Sequence, residues 1–323
     1  MDQLKGSKVE FDFVGKIPFF GTISAVLFVA MSLYLIFKGL PYGIDFVGGT
    51  ELQIQFSKDV PIGDLRVALG TLGAVKPSVQ EYGDAKNYLI RFQLPISDQM
   101  TPSEINKLQN ETVDKIKNLV TSGSFQENAG EVVRVDSVGP QVGQELKRSG
   151  VLAVFYSLLL ILIYIAMRFD YKFSPGAVLC LIHDVVITLG VYALSGREIN
   201  VPVIAAVLTL IGYSLNDTIV VFDRIRETEQ GNPKLPFKAV INRALNEMWQ
   251  RTVVTSGTTL VVGVALLFVT QGAISDIALI LTVGIVVGTY SSIYIASPLT
   301  LWLDQWLGRH QFDIFPKPKF SDS

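Results

Sequence analysis

Apolar residues are gathered along this chain of 323 residues in six long windows rather than in the short alternating runs of a soluble domain. Each window is close to the roughly 20 residues that a helix needs to cross a lipid bilayer. The pattern therefore predicts six membrane-spanning helices. They lie at about 17–38, 150–167, 174–195, 201–223, 252–271 and 277–303.

A polar region of about 110 residues, 39–149, separates the first window from the second and is long enough to fold as a domain. Its pattern predicts the order strand, helix, strand, strand, helix, strand, because alternating segments such as Thr50–Phe56 are separated by segments of helical period. This order is typical of a ferredoxin-like α+β sandwich. The predicted strands are 50–56, 78–82, 88–94 and 131–138, and the predicted helices are 61–72 and 101–120.

Lysine and arginine are concentrated near both ends of the chain and in alternate connections between the windows, while the short connections of the other side contribute Arg197 alone. By the positive-inside rule, both termini are predicted to be cytosolic and the large domain extracytoplasmic. The sequence thus indicates a multi-pass protein of the cytoplasmic (inner) membrane. Its predicted parts are a cytosolic N-terminus with the first helix (1–38), the extracytoplasmic domain (39–149), a five-helix membrane region (150–303) and a cytosolic tail (304–323).

The cytosolic connection before the fifth window contains a further predicted helix, near 236–249. Its apolar residues recur at helical spacing and share one face, as in an amphipathic helix. Such a helix either anchors the chain to membrane lipid or contacts a partner protein. The residues of this face are Phe237, Val240, Ile241, Ala244, Leu245 and Met248.

Composition places the chain among membrane proteins and argues against several other classes of function. Hydrophobic residues make up 49% of the chain and charged residues 17%, which is too apolar for an ordinary soluble domain. The net charge of −2 argues against a nucleic-acid partner. Phosphate-binding loops, nucleophile elbows and zinc-protease motifs do not occur in the sequence, so we expect no enzymatic activity and no cofactor. The single cysteine, Cys180, cannot form an intrachain disulfide.

Asp217, in the fourth window, is the most informative polar residue. Residues 201–215 contain no Asp, Glu, Lys, Arg or His, residues 219–222 are apolar, and Asn216 precedes the aspartate directly. A carboxylate inside a membrane helix is costly and commonly marks an ion path, a substrate path or a proton relay. Two alternatives remain: Asp217 lies close enough to the cytosolic end to be solvated, or it pairs with another helix only for stability.

Two other predicted helices carry polar groups that need partners. His183 and Asp184 lie near the middle of the third helix. Because adjacent residues are about 100° apart around a helix, we expect one of them to bond to a neighbouring helix, and not both to bind one metal ion. In the fifth helix, Arg251 and Thr255 begin a polar stripe with the cation at its cytosolic end. Arg251 either pairs with Asp217 or extends its charge to the lipid headgroups.

Four segments, in order along the chain, resemble the SecD/SecF family of protein-export membrane proteins, which belongs to the resistance-nodulation-division superfamily. The segments are Gly43–Gly49, Val138–Leu146, Ser214–Arg226 and Arg251–Thr259. The resemblance extends over nearly the whole chain, and four matches in register are highly specific.

The resemblance implies a subunit that works with SecD and uses the proton-motive force to promote preprotein translocation on the outer side of the SecYEG channel. It implies that Asp217 is the titrating carboxylate and Arg251 its charged partner. Members of the superfamily usually have two six-helix halves, and this chain has one, so SecD is expected to supply the other. YajC, membrane lipid and the preprotein are the other expected partners. The supporting relay residues would be Asn216, His183, Asp184 and Thr255.

Two further functions fit the same pattern. In the first, the chain is half of a proton-coupled small-molecule or lipid exporter, and this predicts a hydrophobic cleft in the outer domain. In the second, it is a purely structural brace for the translocon, and Asp217 is then a packing residue. In the relay hypothesis, protonation of Asp217 shifts the helices and tilts the outer domain. The tilt would occur about two glycine-containing tethers, at 39–43 and 143–149.

Overall fold

The computed structural model of the protein describes residues 11–72, 77–82, 84–94, 100–122, 125, 128–169 and 173–310. The start of the predicted N-terminal segment (1–10) and most of the predicted tail (311–323) lie outside the described residues. The helices are α1 (Ile17–Lys38), α2 (Ile44–Val47), α3 (Ile62–Gly70), α4 (Pro102–Ser122), α5 (Pro140–Arg168), α6 (Ser174–Leu194), α7 (Val201–Gly231), α8 (Phe237–Val269), α9 (Gly272–Ser291) and α10 (Ser297–His310). The strands are β1 (Gly49–Phe56), β2 (Ser78–Tyr82), β3 (Asp84–Phe92) and β4 (Gly130–Val138).

Six helices in the described part of the chain are long and apolar enough to cross a membrane, which confirms the six predicted spans. They are α1, α5, α6, α7, α8 and a continuous unit in which a π-helical segment, Ser292–Ala296, joins α9 to α10. Several helices extend further than predicted. Among them, α7 continues to Gly231, and the helix predicted near 236–249 is the first part of α8.

The predicted flexible tether at 143–149 is instead helical. α5 begins at Pro140, which suits the first turn of a helix, and continues without a break into the membrane region. Gly143 is buried, and a Cβ at this position would lie 3.0 Å from the backbone nitrogen of Gly48. This glycine therefore serves close packing, and the connection at this end is a continuous helix.

The elements from β1 to β4, which we call the sheet domain, occur in the predicted order. All neighbouring strands are antiparallel, in the order β2-β3-β1-β4, so β1 and β2 run parallel with β3 between them. Because side chains alternate along a strand, one face of the sheet forms the core with α3 and α4, and the other face is polar. The core includes Leu52, Ile54, Tyr88 and Ile90 from the strands and Leu65 and Ile116 from the helices.

The centre of the membrane region is formed by α6, α7 and α9. The spans α6 and α7 are the most buried, whereas α1 and α5 leave most of their side chains exposed. Gly288 allows α9 to approach α7 closely, since a Cβ there would lie 3.1 Å from Cβ of Ser214. Towards one end of the bundle, the rings of Phe173 and Phe222 pack with their centroids 4.9 Å apart. This packing brings the polar side chains of α6, α7 and α9 together.

Candidate functional site

Asp217 lies where α7 meets α8 and α9, and it is only 6% exposed. Its Oδ2 accepts a hydrogen bond of 3.2 Å from Oγ of Ser256 on α8. Ser256 Oγ in turn accepts a hydrogen bond of 2.7 Å from Oγ1 of Thr289 on α9. A chain of two hydroxyl groups therefore connects the carboxylate of α7 to the two neighbouring helices.

Asp184 lies on α6, is 1% exposed, and has a much fuller set of partners. Its Oδ2 accepts hydrogen bonds from Ser214 Oγ of α7 at 2.5 Å and from Ser291 Oγ of α9 at 2.8 Å. Its Oδ1 lies 2.9 Å from Nδ1 of His183. The expectation that one residue of the pair bonds to a neighbouring helix is confirmed for Asp184, which bonds to two helices.

The other predicted relay residues lie beside Asp217 and not in contact with its carboxylate. Arg251, Asn216 and Thr255 are exposed on α8 and α7. Both Asp217 and Arg251 are described, and no ion pair joins them. Tyr213 ties the two helices together here, because its hydroxyl donates to the backbone oxygen of Thr255 at 3.3 Å.

The hydroxyl groups that complete both sites could not be singled out from the sequence. Serine and threonine are common in membrane helices, where their hydroxyls can bond to a backbone carbonyl of the same helix. Which of them turns towards another helix depends on packing. The one available signal was spacing, since Ser214 lies three residues before Asp217 and so on a neighbouring part of the helix surface. The four residues are Ser214, Ser256, Thr289 and Ser291.

Small and polar residues of α7, together with polar residues on the adjoining surface of α8, form one exposed stripe. In a bilayer, polar side chains avoid lipid, and small residues allow another helix to approach closely. This stripe is therefore suited to a further helix beside Asp217. Its residues are Ala205, Thr209, Gly212 and Asn216 on α7 and Arg251, Thr255 and Thr258 on α8.

Two adjoining cavities, each of about 320 Å³, lie between the polar face of the sheet and the nearest ends of α7 and α9. Arg91 of β3 reaches into this space and pairs with Glu51 of β1 and, at 2.6 Å, with Glu198. Burial raises the pKa of the Glu198 carboxyl, and the neighbouring Arg91 opposes this by stabilising the charged form. Nearby, Arg197 pairs with Asp276 at 2.8 Å. The boundary between the sheet domain and the membrane region is thus charged and partly buried.

Comparisons with known proteins match both the sheet domain and the membrane region. A family model described as protein export membrane protein SecD/SecF, C-terminal, matches residues 119–306, and a model of the SecD/SecF GG motif matches residues 34–60. The protein translocase subunit SecF of Desulfurispirillum indicum is 39% identical over 301 residues, which cover 92% of this chain and 93% of that protein. The protein translocase subunit SecF of Calditerrivibrio nitroreducens is 43% identical over 291 residues, or 89% of this chain and 92% of that protein.

Solved structures show the same similarity. The crystal structure of SecDF from Thermus thermophilus, a translocon-associated membrane protein, matches 92% of this chain with a TM-score of 0.81 and 36% sequence identity. This chain spans 39% of the length of that SecDF chain. A crystal structure of SecDF in a super-membrane-facing form matches 94% of this chain with a TM-score of 0.64 and 35% identity. The architecture of this chain is therefore found within the larger SecDF chain.

Proposed function

Because the chain belongs to the SecD/SecF family of protein-export membrane proteins, we propose that it couples the proton-motive force to preprotein translocation, with Asp217 as the group that takes up and releases the proton. Membership in the family gives the chain a SecF-like role in protein export. Its six apolar helices are those of a multi-pass membrane protein. The relatives are translocase subunits, and the proposed role is one of transport and not of enzymatic catalysis.

The observation that supports this role is how weakly Asp217 is held. A carboxylate in the membrane interior needs hydrogen-bond donors or a cation to stay charged. Within the described bundle, the Asp217 carboxylate accepts a hydrogen bond of 3.2 Å from Ser256 and has the hydroxyl of Thr289 as its other close polar neighbour. Few bonds must therefore break when the carboxylate gains or loses a proton, which suits a group that titrates during a transport cycle.

The other predicted relay residues have supporting parts in this proposal. Arg251 would stabilise the charged form of Asp217 once the exposed stripe is covered, because a cation acts more strongly where water is excluded. Asn216 and Thr255 lie on that stripe and would line the proton path. His183 and Asp184 would hold α6 against α7 and α9 while the region around Asp217 changes.

We infer that SecD covers the exposed stripe. A polar surface in the membrane needs another helix, and the described part of this chain has six spans where the superfamily usually has two sets of six. The similar Thermus thermophilus protein is named SecDF, and this chain matches 38% of its length. The part of SecDF that this chain does not match would correspond to SecD, and it would supply the second set of helices.

We further infer that residues 39–149 are extracytoplasmic and lie between the first helix (1–38) and the five-helix region (150–303). Within them the sheet domain is ferredoxin-like, and residues 140–149 are the first turns of α5. The strand order β2-β3-β1-β4 supports the fold, and the distribution of lysine and arginine supports the orientation. Both termini, including the tail at 304–323, would then be cytosolic. In this orientation the sheet domain would meet a preprotein that leaves the SecYEG channel, and YajC and membrane lipid are the other proposed partners.

The proposal is tested by preprotein translocation into inverted membrane vesicles that carry this chain with SecD, with and without an imposed proton gradient. Asp217→Asn keeps the shape of the side chain and removes its titration, so we expect loss of the gradient-dependent part of translocation while SecD stays bound. The matched control is Asp223→Asn, a partly exposed aspartate on the same helix, 3.6 Å from Arg168. If Asp217→Asn leaves gradient-driven translocation unchanged, the relay is wrong and the structural brace explains the family role better.

The lining of the cavities bears on the exporter alternative. A small-molecule or lipid exporter predicts a hydrophobic cleft in the sheet domain. The two cavities beside this domain are instead lined by charged and polar side chains, among them Arg91, Glu198 and Asp276. These cavities give no support to a site for an apolar substrate.

A further inference from the structure

The short connection between α6 and α7, residues 195–200, is fixed to the chain segment that precedes the sheet domain. The backbone nitrogen of Gly43 donates to the carbonyl oxygen of Ile199 at 2.8 Å, and the nitrogen of Ile199 donates to the carbonyl oxygen of Pro41 at 2.6 Å. Asp45 Oδ2 accepts a hydrogen bond of 2.9 Å from the nitrogen of Val201. The predicted hinge at 39–43 is thus attached to the connection between the two helices that carry Asp184 and Asp217.

Arg91 adds the contact that reaches from this connection into the sheet itself. It lies on the polar face of β3 and pairs with Glu198 at 2.6 Å and with Glu51 of the adjacent strand. The side chains of Arg91 and Glu198 are 15% and 27% exposed, so water screens their attraction less than at an open surface. The guanidinium group therefore bridges a carboxylate of the sheet domain and a carboxylate of the membrane region.

The arrangement of one cation between two carboxylates allows the contact to open at low cost. If the sheet domain moves away, Arg91 keeps its partner Glu51 within the sheet, and no cation is left buried and unpaired. Glu198 then meets water, where a carboxylate is well solvated. A contact of this kind can exist in two states without unfolding either part.

The same connection is also attached to α9. Arg197 pairs with Asp276 at 2.8 Å and donates to Ser275 Oγ at 3.0 Å. On the α6 side, the hydroxyl of Tyr192 donates to the carbonyl oxygen of Glu198 at 3.0 Å. Residues 195–200 are therefore attached to α6, α7 and α9, the three helices that supply the partners of Asp184. Of these, α7 carries Asp217 and α9 borders it.

We propose that Arg91 and Glu198 form a latch through which movement of α6 and α7 is passed to the sheet domain. The latch adds to the proposed function a route by which helix movement reaches the sheet domain. It rests on that function, because the helix movement would come from the titration of Asp217. Arg91 and Glu198 are positioning residues in this proposal, since neither takes part in proton transfer.

The test uses the full chain in complex with SecD, with spin labels at Val67 and Leu194. These residues are exposed on α3 and at the end of α6, so one label reports on the sheet domain and the other on the membrane region. The distance between the labels is measured by double electron–electron resonance, and gradient-driven translocation is measured in parallel. Cys180 is buried and is left in place.

We expect Arg91→Met to give a broader and longer distance distribution and to lose most of the gradient-driven translocation, with Glu198→Gln showing a smaller effect. If the two residues act as a pair, the double variant is no worse than Arg91→Met alone. Arg134→Met is the matched control, because Arg134 lies on the same sheet face, is 69% exposed, and pairs with Asp136 of its own strand. It should change neither measurement.

An unchanged distance distribution in Arg91→Met, or effects of the two single variants that simply add, would overturn the latch. The proposed function fails separately, when Asp217→Asn keeps its gradient-driven translocation. The distance between the labels is measured without a proton gradient. It therefore tests the Arg91–Glu198 contact independently of the translocation result for Asp217→Asn. Bound SecD in each variant shows that the chain has folded.

Discussion

Two buried carboxylates lie on neighbouring membrane helices, and their surroundings differ sharply. Asp184 has three polar partners at 2.5, 2.8 and 2.9 Å, drawn from α6, α7 and α9. Asp217 accepts a hydrogen bond of 3.2 Å from Ser256, has the Thr289 hydroxyl as a further polar neighbour, and lies next to an exposed polar stripe. The same residue type thus serves as a fixed joint between helices at one position and is held more loosely at the other. The number of partners, and not the burial, separates the two.

The largest expected effect comes from breaking the fixed joint. Asp184→Ala leaves Ser214, Ser291 and His183 without their shared acceptor, so we expect a loss of roughly 3–5 kcal/mol in the free energy of unfolding, as for a broken buried pair. Asp217→Ala removes one hydrogen bond and should cost roughly 1–2 kcal/mol. Unfolding of the purified chain by a denaturing detergent measures both. Equal losses would show that the two sites are held alike.

A smaller effect is expected from separating α7 and α9 without touching a carboxylate. In Gly288→Ala the new Cβ would lie 3.1 Å from Cβ of Ser214, which pushes Ser214 away from Asp184. We expect a cost of roughly 1–3 kcal/mol, as for other overpacked contacts. Gly212→Ala is the control, because Gly212 is exposed and no atom lies within 4 Å of its added Cβ. The same detergent titration should find Gly212→Ala close to wild type.

The smallest expected loss of stability is the same at both aspartates, but its consequence for translocation should differ between them. Ser214→Ala and Ser256→Ala each remove one hydroxyl that donates to a buried aspartate, and each should cost about 1 kcal/mol in unfolding free energy. We expect only Ser256→Ala to alter gradient-driven translocation in vesicles with SecD, because Ser256 contacts Asp217. An equal effect of Ser214→Ala on translocation would place Asp184 in the proton path as well.

Local pattern predicted much of the fold. Hydropathy marked the six spans, and alternation marked the strands, because both depend on neighbours within a few residues. Boundaries were less certain where a helix leaves the membrane. Residues 140–149 carry Glu145, Lys147 and Arg148, so they read as part of the polar domain, yet they continue α5. A helix can extend into water while its hydropathy changes, so composition does not show where it begins.

Hydropathy alone shows that Asp217 lies in an apolar helix and that His183 and Asp184 need partners, because an isolated polar group in a membrane is costly wherever the chain goes. The folded chain is needed to see that Asp184 bonds to Ser214 and Ser291, that Asp217 bonds to Ser256, and that Arg91 pairs with Glu198. These partners are far apart along the chain. Their meeting depends on how helices are rotated against one another and on where the sheet rests, which local sequence patterns do not record.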